Sequence, residues 1–235
     1  MLAPLIARLL SRLPSQCAVC RAWPSQTLCE DCVLQLAAPR PRCQTCAIAL
    51  PAGTRRCGAC LLDPPALDSC FAAVSYGFPW SRCLHEFKFG QQPGWARPLA
   101  GLMQQDPAWE ALSERVDLLL PMPLSAQRLC ERGYNQAAEL ARQLSPERCH
   151  GTLLLRLRDT PAQSTLPRSG RLRNLRGALA VDPLQAPSLR HRRVLLIDDV
   201  MTTGASLEAA ALALRAAGAR EVHGAVLART ENAVG

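Results

Sequence analysis

Residues 194–206 read VLLIDDVMTTGAS. Four apolar residues run straight into two adjacent acids, Asp198 and Asp199. A loop of hydroxyl residues and one glycine follows, and then residues 205–217 take on helical spacing. The short uncharged run at 194–197 predicts a buried strand, and Gly218 is placed to cap the C-terminal end of the helix. At a strand-to-helix turn, backbone N–H groups point outward and the helix N-terminus carries partial positive charge. Gly204 allows close backbone approach, while Thr202, Thr203 and Ser206 add hydroxyl donors around Ala205. That combination suits a phosphate monoester. Asp198 and Asp199, at the carboxyl end of the strand, can accept hydrogen bonds from the vicinal hydroxyls of a sugar. The plainer alternative is an Asp N-cap followed by a Thr-rich turn.

The segments on either side repeat the strand-then-helix order. Residues 70–78, 116–120, 153–157, 178–181 and 222–227 predict strands, and residues 81–89 and 135–144 predict helices, the second capped by Asn135. Residues 182–192 read as a loop. Strands alternating with helices imply a parallel sheet covered on both faces, hence an α/β fold. Before residue 66 the pattern is different. The chain is rich in Cys and Pro and ends in Leu-Asp-Pro-Pro at 62–65, which reads as a linker. We therefore expect two domains, a small module over 1–65 and an α/β domain over 66–235.

Twelve cysteines are present, and eight of them form four C-x-x-C pairs: Cys17/Cys20, Cys29/Cys32, Cys43/Cys46 and Cys57/Cys60. A C-x-x-C knuckle lets two thiolates grip one face of a tetrahedral ion. Two knuckles complete a four-cysteine set with no open position for catalysis. The expectation is two structural zinc sites in a reducing compartment rather than a disulfide framework. Pairing of neighbouring knuckles closes short loops and is favoured; a cross-braced arrangement is the alternative. The isolated Cys70, Cys83, Cys130 and Cys149 read as packing or surface residues.

The 194–206 segment resembles the phosphoribosyl-diphosphate (PRPP) signature of type I phosphoribosyltransferases. Pro121-Met-Pro-Leu124, Arg128 and Glu131-Arg-Gly-Tyr-Asn-Gln136 resemble the corresponding block of the ComF family. Asp159, Thr160, Pro161, Gln163, Arg171, Asn174, Gly177 and Ala178 resemble a second block of that family. Leu179 stands where the family has Phe, and Ser206 where the signature commonly closes on Thr; apolar character and hydroxyl are kept. The resemblance implies a type I phosphoribosyltransferase-like parallel sheet flanked by helices, preceded by a double zinc ribbon. It implies that Asp198 and Asp199 hold the ribose hydroxyls of PRPP, and that residues 202–206 hold its 5′-phosphate. Pro121, Met122 and Pro123 would face the diphosphate, with Arg128, Arg132 and Lys88 as candidate partners and magnesium bridging diphosphate and ribose oxygens. It further implies a cytoplasmic role in handling single-stranded DNA during competence or DNA use, with a helicase-like translocase as a possible partner. An active transferase on an unidentified base or amine, or a PRPP-sensing regulator, are the alternatives. No nucleobase pocket is legible.

Composition limits these readings. The chain has 235 residues, of which 49% are hydrophobic, enough to bury a core and to exclude global disorder. Aromatics are 4%, which disfavours a broad stacking platform for single strands. No apolar run reaches the ~18–20 residues needed to span a bilayer. Residues 1–14 read as an amphipathic helix rather than a secretory signal, since Arg8 and Arg12 interrupt it. The net charge is +8, and Lys88 is the lone lysine among 27 basic residues. The excess lies between residues 121 and 193, which suits a polyanionic partner. Arg168, Arg171, Arg173 and Arg176 read either as a solvated helix face or as a flap or track for phosphates. Arg190, Arg192 and Arg193 read as a solubilising run, and His85 and Glu208 as surface or packing residues.

Overall fold

The structure is a computed structural model, and it describes residues 15–158 and 177–231. The expected N-terminal helix, the second family block up to residue 176 and the Arg168–Arg176 cluster lie outside the described residues. The chain forms two compact units, Met1–Ala38 and Pro39–Gly235.

In the first unit, Ser15 and Ser25 pair in both directions at 2.7 Å. They close a turn in which the Cys17 carbonyl accepts the Arg21 N–H at 3.0 Å. Helix α1 (Glu30–Leu36) starts at Cys29, whose sulfur caps it by accepting the Cys32 N–H at 3.4 Å.

The larger unit repeats that pattern first. The Cys43 carbonyl accepts the Ala47 N–H at 2.8 Å, and Arg42 pairs with Ala49. Both knuckles turn on a residue of positive φ, Arg21 at 67° and Ala47 at 57°. Helix α2 (Gly58–Leu62) starts after Cys57. Then come β1 (Ser69–Ser75), α3 (Trp80–Phe89), α4 (Ala96–Gln104), α5 (Pro107–Ser113) and β2 (Leu118–Pro121). They are followed by α6 (Ala126–Arg132), α7 (Gln136–Leu144), β3 (Leu154–Arg156), β4 (Leu179–Val181), β5 (Arg193–Met201), α8 (Ala205–Ala216) and β6 (Glu221–Arg229).

Four strands form one parallel sheet in the order β1-β6-β5-β2. β3 and β4 form a separate antiparallel pair. Residues 194–197 of β5 and 225–228 of β6 are wholly buried, as expected of strands covered on both faces. Val194 and Leu196 pack with Leu207, Ala210, Ala211 and Leu214 of α8. The intervening Leu195 and Ile197 turn to the opposite face, where α4 and α7 lie on the sheet. Asp117 fixes the entrance to the β2–β5 pair. Its carboxylate accepts the Arg193 backbone N–H at 2.8 Å and Nη2 at 2.9 Å.

Residues 39–65 lie within the larger compact unit. Ala47 and Cys46 join the hydrophobic cluster under the sheet. Arg42 pairs with Glu231 at 3.2 Å, and Glu231 also accepts the Ala49 N–H at 3.0 Å. Pro64-Pro65 is a corner rather than a linker. The Ala66 N–H donates to the Glu208 carboxylate at 2.9 and 3.0 Å, and the Ala66 carbonyl accepts from Arg215 at 2.8 Å. Glu208, read as a surface acid, is therefore the clamp that fixes this corner.

Candidate sugar-phosphate site and cysteine centres

Parallel pairing gathers the ends of β2 and β5 at one edge of the sheet. Pro121 pairs with Ile197, so the Pro-Met-Pro loop lies beside the two acids. The Met122 N–H donates to the Ile197 carbonyl at 2.8 Å. One sequence expectation is corrected here. β5 does not stop at Ile197 but stays paired with β6 through Met201, so both acids lie within the strand. Buried partners on β6 sustain the ladder where acid side chains alone predict a loop.

Asp199 is buried, and its Oδ1 lies 3.0 Å from Lys88 Nζ on the last turn of α3. Lys88, expected toward a diphosphate, is paired here with Asp199. Asp198 Oδ1 accepts the Asp199 N–H at 2.9 Å. Burial first, and then the neighbouring Asp199 charge, push the Asp198 carboxyl up to about 7, against the pull of Lys88 and Arg132.

After Met201 the chain turns through Thr202, Thr203 and Gly204 into α8. Gly204 has φ +80°, and a Cβ there would run into the Met201 methyl carbon. α8 begins at Gly204 without a side-chain cap. The N–H groups of its first turn, including those of Ala205 and Ser206, have no intrahelical carbonyl to meet. The turn therefore offers amides, hydroxyls and the positive end of a twelve-residue helix beside two carboxylates.

The residues around 131–136 brace this edge. Asn135 caps α7 by accepting the Ala137 and Ala138 N–H groups at 3.0 and 3.3 Å, while its Nδ2 donates to the Met122 carbonyl at 3.0 Å. Tyr134 Oη and Gln136 Nε2 both donate to the Phe87 carbonyl, one residue before Lys88. Gly133, at φ +78°, ends α6 and lets the chain turn between these tasks. Arg132 donates to Gln136 at 3.0 Å and stacks over the Phe89 ring at 5.4 Å. Arg128 carries no ion pair among the described residues and lies half-buried on α6. Sequence reading missed the bracing roles of Tyr134 and Gln136, whose partners are remote in the chain.

The eight paired cysteines form two groups, Cys17/Cys20/Cys29/Cys32 and Cys43/Cys46/Cys57/Cys60, in which all sulfurs lie within 4.8 Å of one another. Neighbouring knuckles pair, as favoured. An ion held by four thiolates at about 2.3 Å sets its sulfurs about 3.8 Å apart. The observed separations are 3.9 Å for Cys17–Cys32, 3.6 Å for Cys20–Cys29 and 3.7 Å for Cys46–Cys57. In each group a backbone N–H from the second knuckle meets a sulfur of the first, Cys29 to Cys17 at 3.5 Å and Cys57 to Cys43 at 3.4 Å. Each group could hold one ion, and four thiolates suit zinc.

Residues 131–233 match the phosphoribosyl transferase domain family. Over 175 residues the chain is 34% identical to competence protein F of Haemophilus influenzae, covering 70% of this chain and 74% of that protein. The chain belongs to the ComF family. A second relative is DNA utilization protein YhgH of Escherichia coli K12, 30% identical over 178 residues, 71% of this chain and 74% of that one. A solved structure of an allosteric regulatory enzyme of purine biosynthesis is 21% identical over 56% of this chain and 25% of that chain, with a TM-score of 0.35. Among the described residues, no helix is long and apolar enough to cross a membrane.

Proposed function

We propose that this chain is a PRPP-binding protein that assists the handling of single-stranded DNA in competence or DNA utilisation. The names of its relatives support the biological role. The observation that carries the ligand is the uncapped α8 turn at Gly204 beside Asp198 and Asp199. In this reading Asp198 and Asp199 accept the ribose 2′- and 3′-hydroxyls. Residues 202–206 donate to the 5′-phosphate. Pro121, Met122 and Pro123 line the diphosphate side, with Arg128 and Arg132 balancing its charge. Lys88 holds Asp199 in place until the diol arrives. Magnesium, when bound with PRPP, offsets diphosphate charge and keeps much of its own water. Zinc fills the two four-cysteine centres in a structural role. The protein works in the cytoplasm, with a helicase-like translocase as partner.

The intact acid pair also favours a second reading, an active transferase on a base or amine. In that case the diphosphate leaves the ribose as positive charge develops on the sugar, and preorganised arginines stabilise the departing anion. Diphosphate release in the presence of a panel of bases and amines separates the two. Binding without release for every acceptor removes the transferase reading.

Calorimetric titration with PRPP and Mg2+ tests the site. The double change Asp198→Asn with Asp199→Asn should abolish binding while zinc content stays at two ions per chain, as implied by the two cysteine groups. Retained affinity in that variant sinks the assignment. Single-stranded DNA binding followed against salt tests the DNA role. A steep loss of affinity with salt is expected for phosphate contacts, and a flat response counts against them.

A further inference from the structure

Arg229 closes β6 and is only 3% exposed, a placement open to arginine only when its donors are used. Its Nη1 donates to the Met201 carbonyl at 3.2 Å, to the Thr202 carbonyl, and to the Thr230 carbonyl at 2.6 Å. Its Nε donates to the Cys46 carbonyl at 2.9 Å. One guanidinium therefore grips both the turn after β5 and the first knuckle of the second cysteine centre. The Thr230 N–H adds a further bond to the Met201 carbonyl at 3.1 Å.

This has a directional consequence. In a trans peptide the carbonyl and the next N–H point opposite ways. Carbonyls of Met201 and Thr202 that face Arg229 turn the N–H groups of Thr202 and Thr203 away from it. A cation on those carbonyls also polarises the same peptide groups, which strengthens their N–H donors. On the other side, Cys46 Sγ sits 3.7 Å from Cys57 Sγ, so the Cys46 backbone follows the geometry of the four sulfurs. Arg42 repeats the tie nearby, donating to the Ala47 carbonyl at 3.0 Å while paired with Glu231.

Resting on the reading that residues 202–206 hold a sugar phosphate, we infer that Arg229 is the positioning residue of that turn, and that it makes sugar-phosphate binding and metal retention at the second cysteine centre depend on each other. Arg229 itself touches no substrate. It sets the peptide planes that do, from behind. By linkage, whatever factor the bound ion adds to the affinity for the ligand, the ligand adds to the affinity for the ion.

The test follows zinc release from the full zinc-loaded chain to a chromogenic chelator, with and without PRPP and Mg2+. A Cys20→Ser background leaves only the second centre to report. PRPP should slow release from that centre by about fivefold or more. Arg229→Met should lose this protection and weaken PRPP binding by about tenfold or more. Arg229→Lys keeps the charge but not the fork, and should be uncoupled in the same way. An arginine serving stability alone would lower the melting temperature yet leave the protection in place. Equal release rates with and without PRPP in the chain with Arg229 intact overturn the inference, and so does protection that survives in either variant. Should Arg229→Met not fold, the unaltered chain and Arg229→Lys decide. A chain that binds no PRPP at all overturns the sugar-phosphate reading, and this one with it. Calorimetry reads that outcome separately from the zinc rates.

Discussion

Two residues of β5 and the turn after it carry opposite demands. Gly204 sits at φ +80°. Gly204→Ala should cost about 1 kcal/mol, mostly from the left-handed backbone. The Met201 methyl that a Cβ would meet is the free end of a flexible side chain and can yield. Thermal unfolding measures the loss, and PRPP affinity should fall with it because the turn's amides shift. Asp198 shows the other conflict. Burial and Asp199 raise its carboxyl to about 7, with Lys88 and Arg132 pulling the other way. Between its ordinary value of 3.8 and about 7, the folded chain holds this proton more tightly than the unfolded chain. Stability from this group is therefore present at low pH and falls as pH rises through that window. Asp198→Asn should raise the melting temperature of the ligand-free chain at pH 8, and the gain should vanish near pH 4. A melting temperature unchanged at pH 8 would contradict the raised value. Site residues that bond locally were legible in the sequence, such as the Asn135 cap. The Arg229–Cys46 and Glu208–Ala66 ties were not, because their ends lie more than a hundred residues apart and only the fold brings them together.

At the scale of elements, the two cysteine centres look alike in sequence but sit in different settings. The first lies in the unit ending at Ala38; the second shares the core under the sheet through Cys46 and Ala47. Cys20→Ser should release one ion and leave the main unfolding transition of the larger unit in place. Cys60→Ser should release the other ion and lower that transition by several degrees, since metal binding there is part of the unit's folding energy. Zinc assay paired with calorimetric melting reads both. Buried parallel strands were legible because they appear as short apolar runs. α4 and α5 were not, since Pro98, Gly101 and Pro107 look like breakers. Yet Pro107 opens α5 at a position where no intrahelical N–H is needed, and Asp106 caps it through the Ala108 N–H at 2.8 Å. Pro98 likewise falls in the first turn of α4. β5 runs past its apolar stretch because acids are tolerated in a strand only when a partner strand and a cation such as Lys88 stand beside them, and neither is visible in the local sequence.

Over the whole molecule, the strand order holds a consequence for biosynthesis. β6 lies between β1 and β5 and follows both in the chain. During translation β1 emerges early, and among the described residues it finds no partner strand until residue 229 has cleared the ribosome. A nascent chain stalled at residue 218 should therefore be digested readily by added protease, while one extended past residue 231 by a ribosome-spanning tether should resist. Such late closure makes for slow folding and long exposure of apolar strands. Newly made protein would depend on chaperones to shield those strands until the final one slots in.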